Sequence, residues 1–153
     1  MKEYTTSQIA NWFLAKESIS PKKLQKLMYY AYAWTLTLTN DSPDELNNRL
    51  FNDKFQAWVH GPVLNDIYHQ YAQYGYHNID SKDIEKPNLV SDIEDILEQV
   101  WDVYGKYSAD ELESLTHQES PWKTARAGVD PLESCQNELD DRIIYECYIS
   151  RIG

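Results

Sequence analysis

Apolar side chains recur every three or four residues along most of the chain, and this spacing places them on one face of an α-helix. The pattern predicts a first helix over Ser7–Lys16. A second helix begins after Ser20, whose hydroxyl can cap it, and extends from Pro21 to about Leu38. Its apolar stripe, which predicts the central and most buried helix, consists of Leu24, Leu27, Met28, Ala31 and Trp34 or Thr35. Its lysines, expected to lie away from the stripe, are Lys22, Lys23 and Lys26.

The period of the pattern changes between Arg49 and Val59. Two short apolar or aromatic runs in this stretch flank Asn52-Asp53, a pair that tolerates the dihedral angles of tight turns. The arrangement predicts a small β-hairpin. Because an isolated hairpin is only marginally stable in water, this one is expected to pack against helices.

Start and stop signals divide the rest of the chain into further helices. Gly61-Pro62 predicts a helix with proline at its first position, and Gly75 is a natural end for it. Capping boxes at Ser91 and Ser108 begin two more helices, and a last helix is predicted over Ser134–Ile149. The predicted fold class is therefore mainly α: a compact single-domain helical bundle of about six or seven helices with one short β-hairpin.

The charge balance limits the classes of partner. The 153 residues include 25 acidic and 14 basic side chains, a net charge of −11. This charge argues against a general affinity for nucleic acid, where neutralising phosphates dominates binding. An acidic surface can attract a basic protein partner, or it can simply keep the chain soluble, and the sequence leaves both interpretations open. The twelve tyrosines and five tryptophans fill a core in part and can form a contact surface in part.

Cysteine spacing and hydropathy give an expectation for the compartment. Cys135 and Cys147 lie twelve residues apart in a segment predicted to be helical, too far along a helix for a disulfide, so both are expected to be free thiols. No run approaches eighteen apolar residues, and polar residues interrupt the N-terminal stretch where a signal peptide would have its apolar core. We therefore expect a cytoplasmic protein that does not contact a membrane.

The stretch ELESLTHQESPWKTAR, Glu111–Arg126, concentrates groups that can do chemistry. His117 and Glu119 have the H-x-E spacing of zinc deaminases, but the paired cysteines that such a site needs do not follow. Ser114 has a histidine three residues away, yet no nucleophile elbow and no nearby glycine accompany it. The pattern therefore predicts no metal, no cofactor and no enzyme. A hydrolase using His117 and Glu119 is the alternative from the enzyme class.

The same stretch has a structural interpretation. His117 is favoured at a helix C-terminus by the helix dipole, and Ser120-Pro121 begins a new turn. Trp122 would then pack back onto the core, and Arg126 could reach carbonyls or carboxylates at the end of the preceding helix. This predicts a helix–turn–helix corner held by an indole, without the basic recognition helix that DNA binding requires.

Three longer stretches resemble a single family, in content and in order. They are KKLQKLMYYAYAWTLTLTN (Lys22–Asn40), FNDKFQAWVHGPVLNDIYHQYAQYG (Phe51–Gly75) and YSADELESLTHQESPWKTAR (Tyr107–Arg126). Together they resemble the Panacea antitoxin domain, the family of SocA-like and GepA-type phage-associated proteins. The resemblance implies one domain over residues 1–153, encoded in toxin–antitoxin pairs that often lie on prophages.

The resemblance also implies a function and a partner. Members of the family neutralise toxins by direct binding, so the expected partner is a cognate toxin encoded nearby. One branch delivers its toxin to the ClpXP protease, which makes a proteolytic adaptor the second candidate function. The family is not known for enzymes. The sequence does not fix the oligomeric state, because tyrosine-rich helix faces suit a dimer and a partner interface equally.

Aromatic side chains beside polar ones make good binding hot spots, and the matched blocks offer such a set. The candidate partner-binding residues are Trp58, His60, Tyr68, His117 and Trp122. The remaining matched residues are interpreted as architectural: Leu24, Leu27, Tyr30, Trp34, Gly61, Pro62 and Arg126.

Overall fold

A long central helix, Pro21–Thr39, organises the molecule. In this computed structural model, which describes residues 1–152, most other elements pack against that helix. The α-helices of residues 1–152 are α1 (Thr6–Lys16), α2 (Pro21–Thr39), α3 (Asn65–Tyr71), α4 (Ser91–Tyr104), α5 (Ala109–His117), α6 (Ser120–Ala125) and α7 (Asp141–Ile149). A 3₁₀ turn, Ala72–Tyr74, extends α3. The strands β1 (Gln56–Trp58) and β2 (Gly61–Val63) pair antiparallel. The mainly α fold with one short hairpin is confirmed.

Sequence and structure agree best at the first residues of helices that have a side-chain cap. Ser20 caps α2 by accepting a hydrogen bond from the Lys23 backbone N–H at 3.2 Å, with proline at the first position as predicted. Ser108 caps α5 in a complete capping box. The box predicted at Ser91 is wrong, because Ser91 is itself the first residue of α4 and Val90 precedes it without a side-chain cap. The Tyr4 hydroxyl accepts from the Val90 N–H at 2.9 Å instead.

The hairpin lies later in the chain than predicted. Its strands flank a turn at Val59-His60 and not one at Asn52-Asp53, and Gly61-Pro62 lies in β2 where a helix start was expected. The reason is a long-range contact: the buried Gln25 amide donates to the Leu64 carbonyl and accepts from the Leu64 N–H, at 3.0 and 2.8 Å. This pair holds the chain extended up to Leu64, so α3 begins only at Asn65. The apolar runs of the predicted hairpin are core anchors: Leu50, Phe51 and Phe55.

The last helix is shorter than predicted. It begins at Asp141, because the Asp140 carboxylate accepts from the backbone N–H groups of the first turn. The preceding stretch runs beside β1, where Ala57 N–H donates to Asn137 O at 2.8 Å and Leu139 N–H to Phe55 O at 2.9 Å. Cys135 therefore lies outside any helix; both it and Cys147 are free thiols.

Gly61 combines a positive φ with close neighbours on the side where a Cβ would lie. Its φ is +110°, and an added Cβ would lie 2.7 Å from Cε of the fully buried Lys26 and 3.0 Å from the Thr116 hydroxyl. A Gly61→Ala change should lower the free energy of unfolding by about 2–4 kcal/mol, since it combines dihedral strain with overpacking. Urea denaturation of the purified protein measures this loss.

Gly75→Ala is the matched control for Gly61→Ala. Gly75 also has positive φ, +56°, but an added Cβ would meet nothing within 4 Å. The free energy of unfolding of Gly75→Ala should fall by about 1–2 kcal/mol, the cost of the dihedral strain alone. Equal losses at the two glycines would mean that the close approach to Lys26 does not constrain the hairpin.

Candidate partner-binding surface

Five residues from four elements and the hairpin turn form one surface, here called the aromatic–histidine patch: Trp58, His60, Tyr68, His117 and Trp122. Trp58 and Tyr68 meet edge to face with ring centroids 4.8 Å apart. His117 stacks on Trp122 at 3.9 Å, nearly parallel. The Trp122 indole N–H donates to the Trp58 carbonyl at 2.8 Å and so joins the two pairs.

Exposure distinguishes the patch from an enclosed active site. The His60 side chain is 73% exposed and Tyr68 is 44% exposed, while the other three rings are half-buried. A cavity of about 260 Å³ opens beside Trp58, between the hairpin and Cys135. The arrangement presents aromatic edges, an imidazole and a small recess to the outside, which suits contact with a protein surface.

The corner between α5 and α6 holds the patch in place. Pro121 is buried at the start of α6, and Trp122 returns toward β1. Arg126 is 5% exposed and donates to three backbone carbonyls, those of Ala57, Asp130 and Glu133, at 2.8, 2.9 and 2.6 Å. The prediction that Arg126 reaches carbonyls was right, but it placed them at the end of the preceding helix. Because α6 packs beside the hairpin, the guanidinium reaches β1 and the following loop.

A charged layer lies under the patch, and Lys26 is its most unusual member. The expectation that Lys26 points away from the core is wrong: it is 1% exposed, and its ammonium donates to the Pro62 carbonyl at 3.0 Å. Burial lowers the pKa of Lys26 to about 7. The helical period marks only the strongest apolar stripe. It carries no information that β2 and α5 cover the neighbouring face of α2 as well.

Glu113 connects this charged layer to the patch. It pairs with Lys22, which also reaches Asp110 at 2.8 Å, and its Oε2 lies 3.2 Å from His60 Nδ1. Burial acts to raise the pKa of Glu113, but the hydrogen bonds from Lys22 and His60 outweigh it and leave that pKa below its usual value. Burial lowers the pKa of His117, whose Nε2 is 4.0 Å from Glu113. Neither Glu113 nor Lys26 was predicted from the sequence as a neighbour of the patch.

Glu119 has different partners from His117, so the pair named for a hydrolase is not assembled. One Glu119 oxygen accepts from the hydroxyls of Tyr30 and Tyr148 at 2.8 and 3.0 Å, and the other accepts from Arg151 at 2.6 Å. Tyr29 and Tyr148 hydroxyls are 2.9 Å apart, which extends the set into the core. We call it the tyrosine–Glu119 network.

The residues interpreted as architectural lie mainly in the interior. Leu24, Leu27 and Tyr30 are fully buried, and Trp34 is half-buried with its indole N–H on the Tyr104 hydroxyl at 3.0 Å. Within residues 1–152, no group of three His, Cys, Asp or Glu side chains is placed to hold a metal ion. None of the helices described is long and apolar enough to cross a membrane.

The structure thus defines a small, mainly helical domain with a joined aromatic surface exposed on one side. The family model described as "Antitoxin SocA-like, Panacea domain" matches residues 24–123, and the chain belongs to this family. A curated relative, "Antitoxin SocA" of Caulobacter vibrioides (strain NA1000 / CB15N), is 27% identical over 160 residues, covering 90% of this chain and 81% of the relative. No solved structure matches the chain. All five residues of the aromatic–histidine patch lie inside the matched range.

Proposed function

We propose that the protein is an antitoxin that neutralises a cognate toxin by binding it directly through the aromatic–histidine patch. The observation that carries the proposal is the coincidence of two facts. The chain belongs to the SocA-like Panacea family, and its matched segment places two aromatic pairs and two histidines on one exposed surface. Binding neutralises the toxin because it covers the surface through which the toxin acts.

The chemistry of the patch supports a protein as the partner. Hot spots of protein interfaces are rich in tryptophan and tyrosine, set in preformed recesses and surrounded by a polar rim. Trp58 and Tyr68 supply the aromatic edges, the cavity beside Trp58 accepts a side chain, and His60 with Glu113 forms the rim. The net charge of −11 favours rapid encounter with a basic toxin and disfavours nucleic acid.

We propose further that the protein is a binder without enzymatic activity, which acts in the cytoplasm without a cofactor. The separate engagement of His117 and Glu119 supports this assignment. We also propose that residues 1–153 act as one antitoxin domain. The elements beyond the matched range, α1 and α7, pack against α2, which lies largely inside it.

Substituting Tyr68 provides the direct test. When the protein encoded beside this chain is co-expressed, the wild type should restore growth. Tyr68→Ala should weaken the affinity of the complex by at least roughly 30-fold, a typical hot-spot effect. Titration calorimetry with the purified pair measures the affinity. Tyr76→Ala is the control, because Tyr76 is 99% exposed and lies outside the patch.

The outcomes separate the parts of the proposal. If the neighbouring protein is harmless alone, or stays toxic beside the wild type, the antitoxin assignment fails. If Tyr68→Ala binds as tightly as Tyr76→Ala, the patch is not the interface. The lifetime of the toxin in the same cells distinguishes masking from delivery to a ClpXP-type protease. Masking leaves the lifetime unchanged or longer, whereas an adaptor shortens it.

A further inference from the structure

An apolar groove between α2 and α4, the α2–α4 groove, lies apart from the patch and shares no residue with it. It encloses about 290 Å³ and is lined mainly by Trp34, Leu38, Ile96, Val100, Val103 and Ile152. Leu38, Val103 and Ile152 are 48%, 51% and 49% exposed, which leaves apolar surface in water on both sides of the groove. Contiguous apolar exposure of this kind marks an interaction site.

On the floor of the groove, the polar groups of Trp34 and Tyr104 pair with each other. The Trp34 indole N–H donates to the Tyr104 hydroxyl at 3.0 Å, and the Tyr104 ring stacks on Tyr30 with centroids 3.9 Å apart. Arg151, next to Ile152 in the chain, is engaged by Glu119. The groove therefore offers ring faces and aliphatic groups, and the complementary occupant is a row of apolar side chains.

Charges along α4 are distributed unevenly between its two flanks. The helix contains no lysine or arginine. On the flank toward α1, Glu94 accepts from the Trp12 indole at 2.9 Å and pairs with Lys86, and Glu98 pairs with Lys16. Its three remaining acidic residues, all exposed and without an ion pair within 4.0 Å in the part of the chain that the structure describes, are Asp92, Asp95 and Asp102.

The unpaired carboxylates lie on the exposed face of α4: Asp92 is next to the groove, and Asp95 and Asp102 are between the groove-lining Gln99 and the paired Glu98. Side chains three or four residues apart are neighbours on a helix surface. Asp92 therefore precedes Ile96 by one turn, and Asp95 and Asp102 flank Gln99, which also lines the groove. An apolar channel with negative charge along one side recognises an apolar row with positive charge beside it.

We propose that the α2–α4 groove docks a basic amphipathic helix of a partner protein. Apolar side chains at helical spacing enter the groove, and lysines or arginines beside them meet Asp92, Asp95 and Asp102. The same three carboxylates repel anionic lipid and nucleic acid. A second copy of this chain is a poor occupant because its own α4 would bring the same charges. The inference goes beyond the proposed function, since it holds whether or not the patch binds a toxin.

A designed peptide tests the groove without knowledge of the natural partner. The probe is a labelled helical peptide of about 14–18 residues, comparable with α4 at about 1.5 Å per residue, with leucines on one face and lysines beside them. Its partner probe carries glutamate at every lysine position. Fluorescence anisotropy should show saturable binding of the lysine peptide to the full-length protein, weakening with salt, and no binding of the glutamate peptide.

Variants of the protein locate the binding. Val103→Asp should weaken the binding of the lysine peptide at least about tenfold. Leu132→Asp, at a position that is 88% exposed and outside the groove, should leave this binding unchanged. The triple change of Asp92, Asp95 and Asp102 to asparagine should weaken binding about tenfold at low salt and remove most of the salt dependence. Its control removes the same charge elsewhere: Asp83→Asn, Asp130→Asn and Glu133→Gln.

Three results would overturn the inference. They are no saturable binding of the lysine peptide, equal binding of the two peptides, and equal binding by Val103→Asp and the wild type. A dimer in sedimentation that Val103→Asp dissolves would identify a second copy as the occupant and also refute it. Tyr68→Ala should bind the peptide normally, so failure of the patch and failure of the groove are separate observations.

Discussion

Replacing Glu119 by alanine should lower the free energy of unfolding by about 3–5 kcal/mol, the range for removing one partner of a buried, hydrogen-bonded charge. Glu119 is 9% exposed and accepts from Tyr30 and Tyr148, both fully buried. Burial, with the Glu119 charge adding to it, raises the pKa of both tyrosines, so their hydroxyls remain donors. Without the carboxylate, the Tyr30 hydroxyl loses its hydrogen-bond acceptor inside the core.

Two other variants separate the parts of the tyrosine–Glu119 network. Glu119→Gln keeps an oxygen that can accept while removing the charge, so its loss should be smaller, about 1–2 kcal/mol. Arg151→Ala should lose no more than about 1 kcal/mol, because the Arg151 side chain is 44% exposed and solvent screens its pairing. Urea denaturation at neutral pH measures all three. A Glu119→Ala loss no larger than that of Arg151→Ala would show that the buried hydroxyls do not depend on the carboxylate.

The same network decides how a loss of biological activity should be interpreted. A loss of activity in Glu119→Ala can follow from its lost stability alone, so it gives no information about catalysis. Glu119→Gln is the informative variant, because Glu119 lies outside the patch that is proposed to bind the toxin. Normal neutralisation by the folded Glu119→Gln protein is expected from a binder. Loss of activity in Glu119→Gln with the fold intact would support the hydrolase alternative.

The sequence predicted elements well where the signal was local. Ser20-Pro21 and the Ser108 capping box mark helix starts with groups that lie within a few residues of one another, and both starts are confirmed. The 3.6-residue period of the apolar positions likewise gave α1, α2 and α4, because each buries apolar side chains at that spacing, although α2 buries other positions as well.

Prediction failed where distant segments decide the local structure. The hairpin position depends on the Gln25 amide, which binds Leu64 across 39 residues. The segment before α7 pairs with β1 instead of extending the helix, a contact across about 80 residues. Neither interaction leaves a periodic trace in the sequence. In the sequence alone, no long-range contact argues against a turn at Asn52-Asp53. That pair was therefore preferred as the hairpin turn over the position before Gly61.

The residues of the candidate surface were also predictable from the sequence only in part. Trp58, Tyr68 and Trp122 were selected because family resemblance and aromatic chemistry agreed, and the structure places them together. Their role in binding stays a prediction. Lys26 could not be found from periodicity, because a helix covered on several sides also buries positions outside its main stripe. The lysine spacing in KKLQK gives no sign of which side chain is enclosed.

Stability should rise with pH above neutrality because of Lys26. A lysine titrates near 10.5 in the unfolded chain, whereas in the folded protein the pKa of Lys26 is about 7. Between these values the unfolded state binds more protons, so stability increases with pH. The destabilising effect of the buried ammonium is complete below pH 7 and is relieved as the pH approaches 10.5. At about 1.4 kcal/mol per pH unit, the full change is on the order of 4–5 kcal/mol.

A Lys26→Met variant should lose this pH dependence. Urea denaturation at pH 7, 8, 9 and 10 measures the difference in unfolding free energy between wild type and variant. Titrating groups that the Lys26 charge does not shift, including the buried tyrosines, cancel in the difference. The Lys26 charge helps to lower the pKa of His117, so the comparison is made above pH 7, where His117 is neutral. Above pH 7, the unfolding free energy of the wild type should rise steadily relative to that of Lys26→Met. The unfolding free energy of Lys82→Met, a change at an exposed position, should vary with pH as that of the wild type does. Parallel curves for Lys26→Met would mean that the Lys26 ammonium stays charged in the folded protein, stabilised beside the Pro62 carbonyl by Glu113.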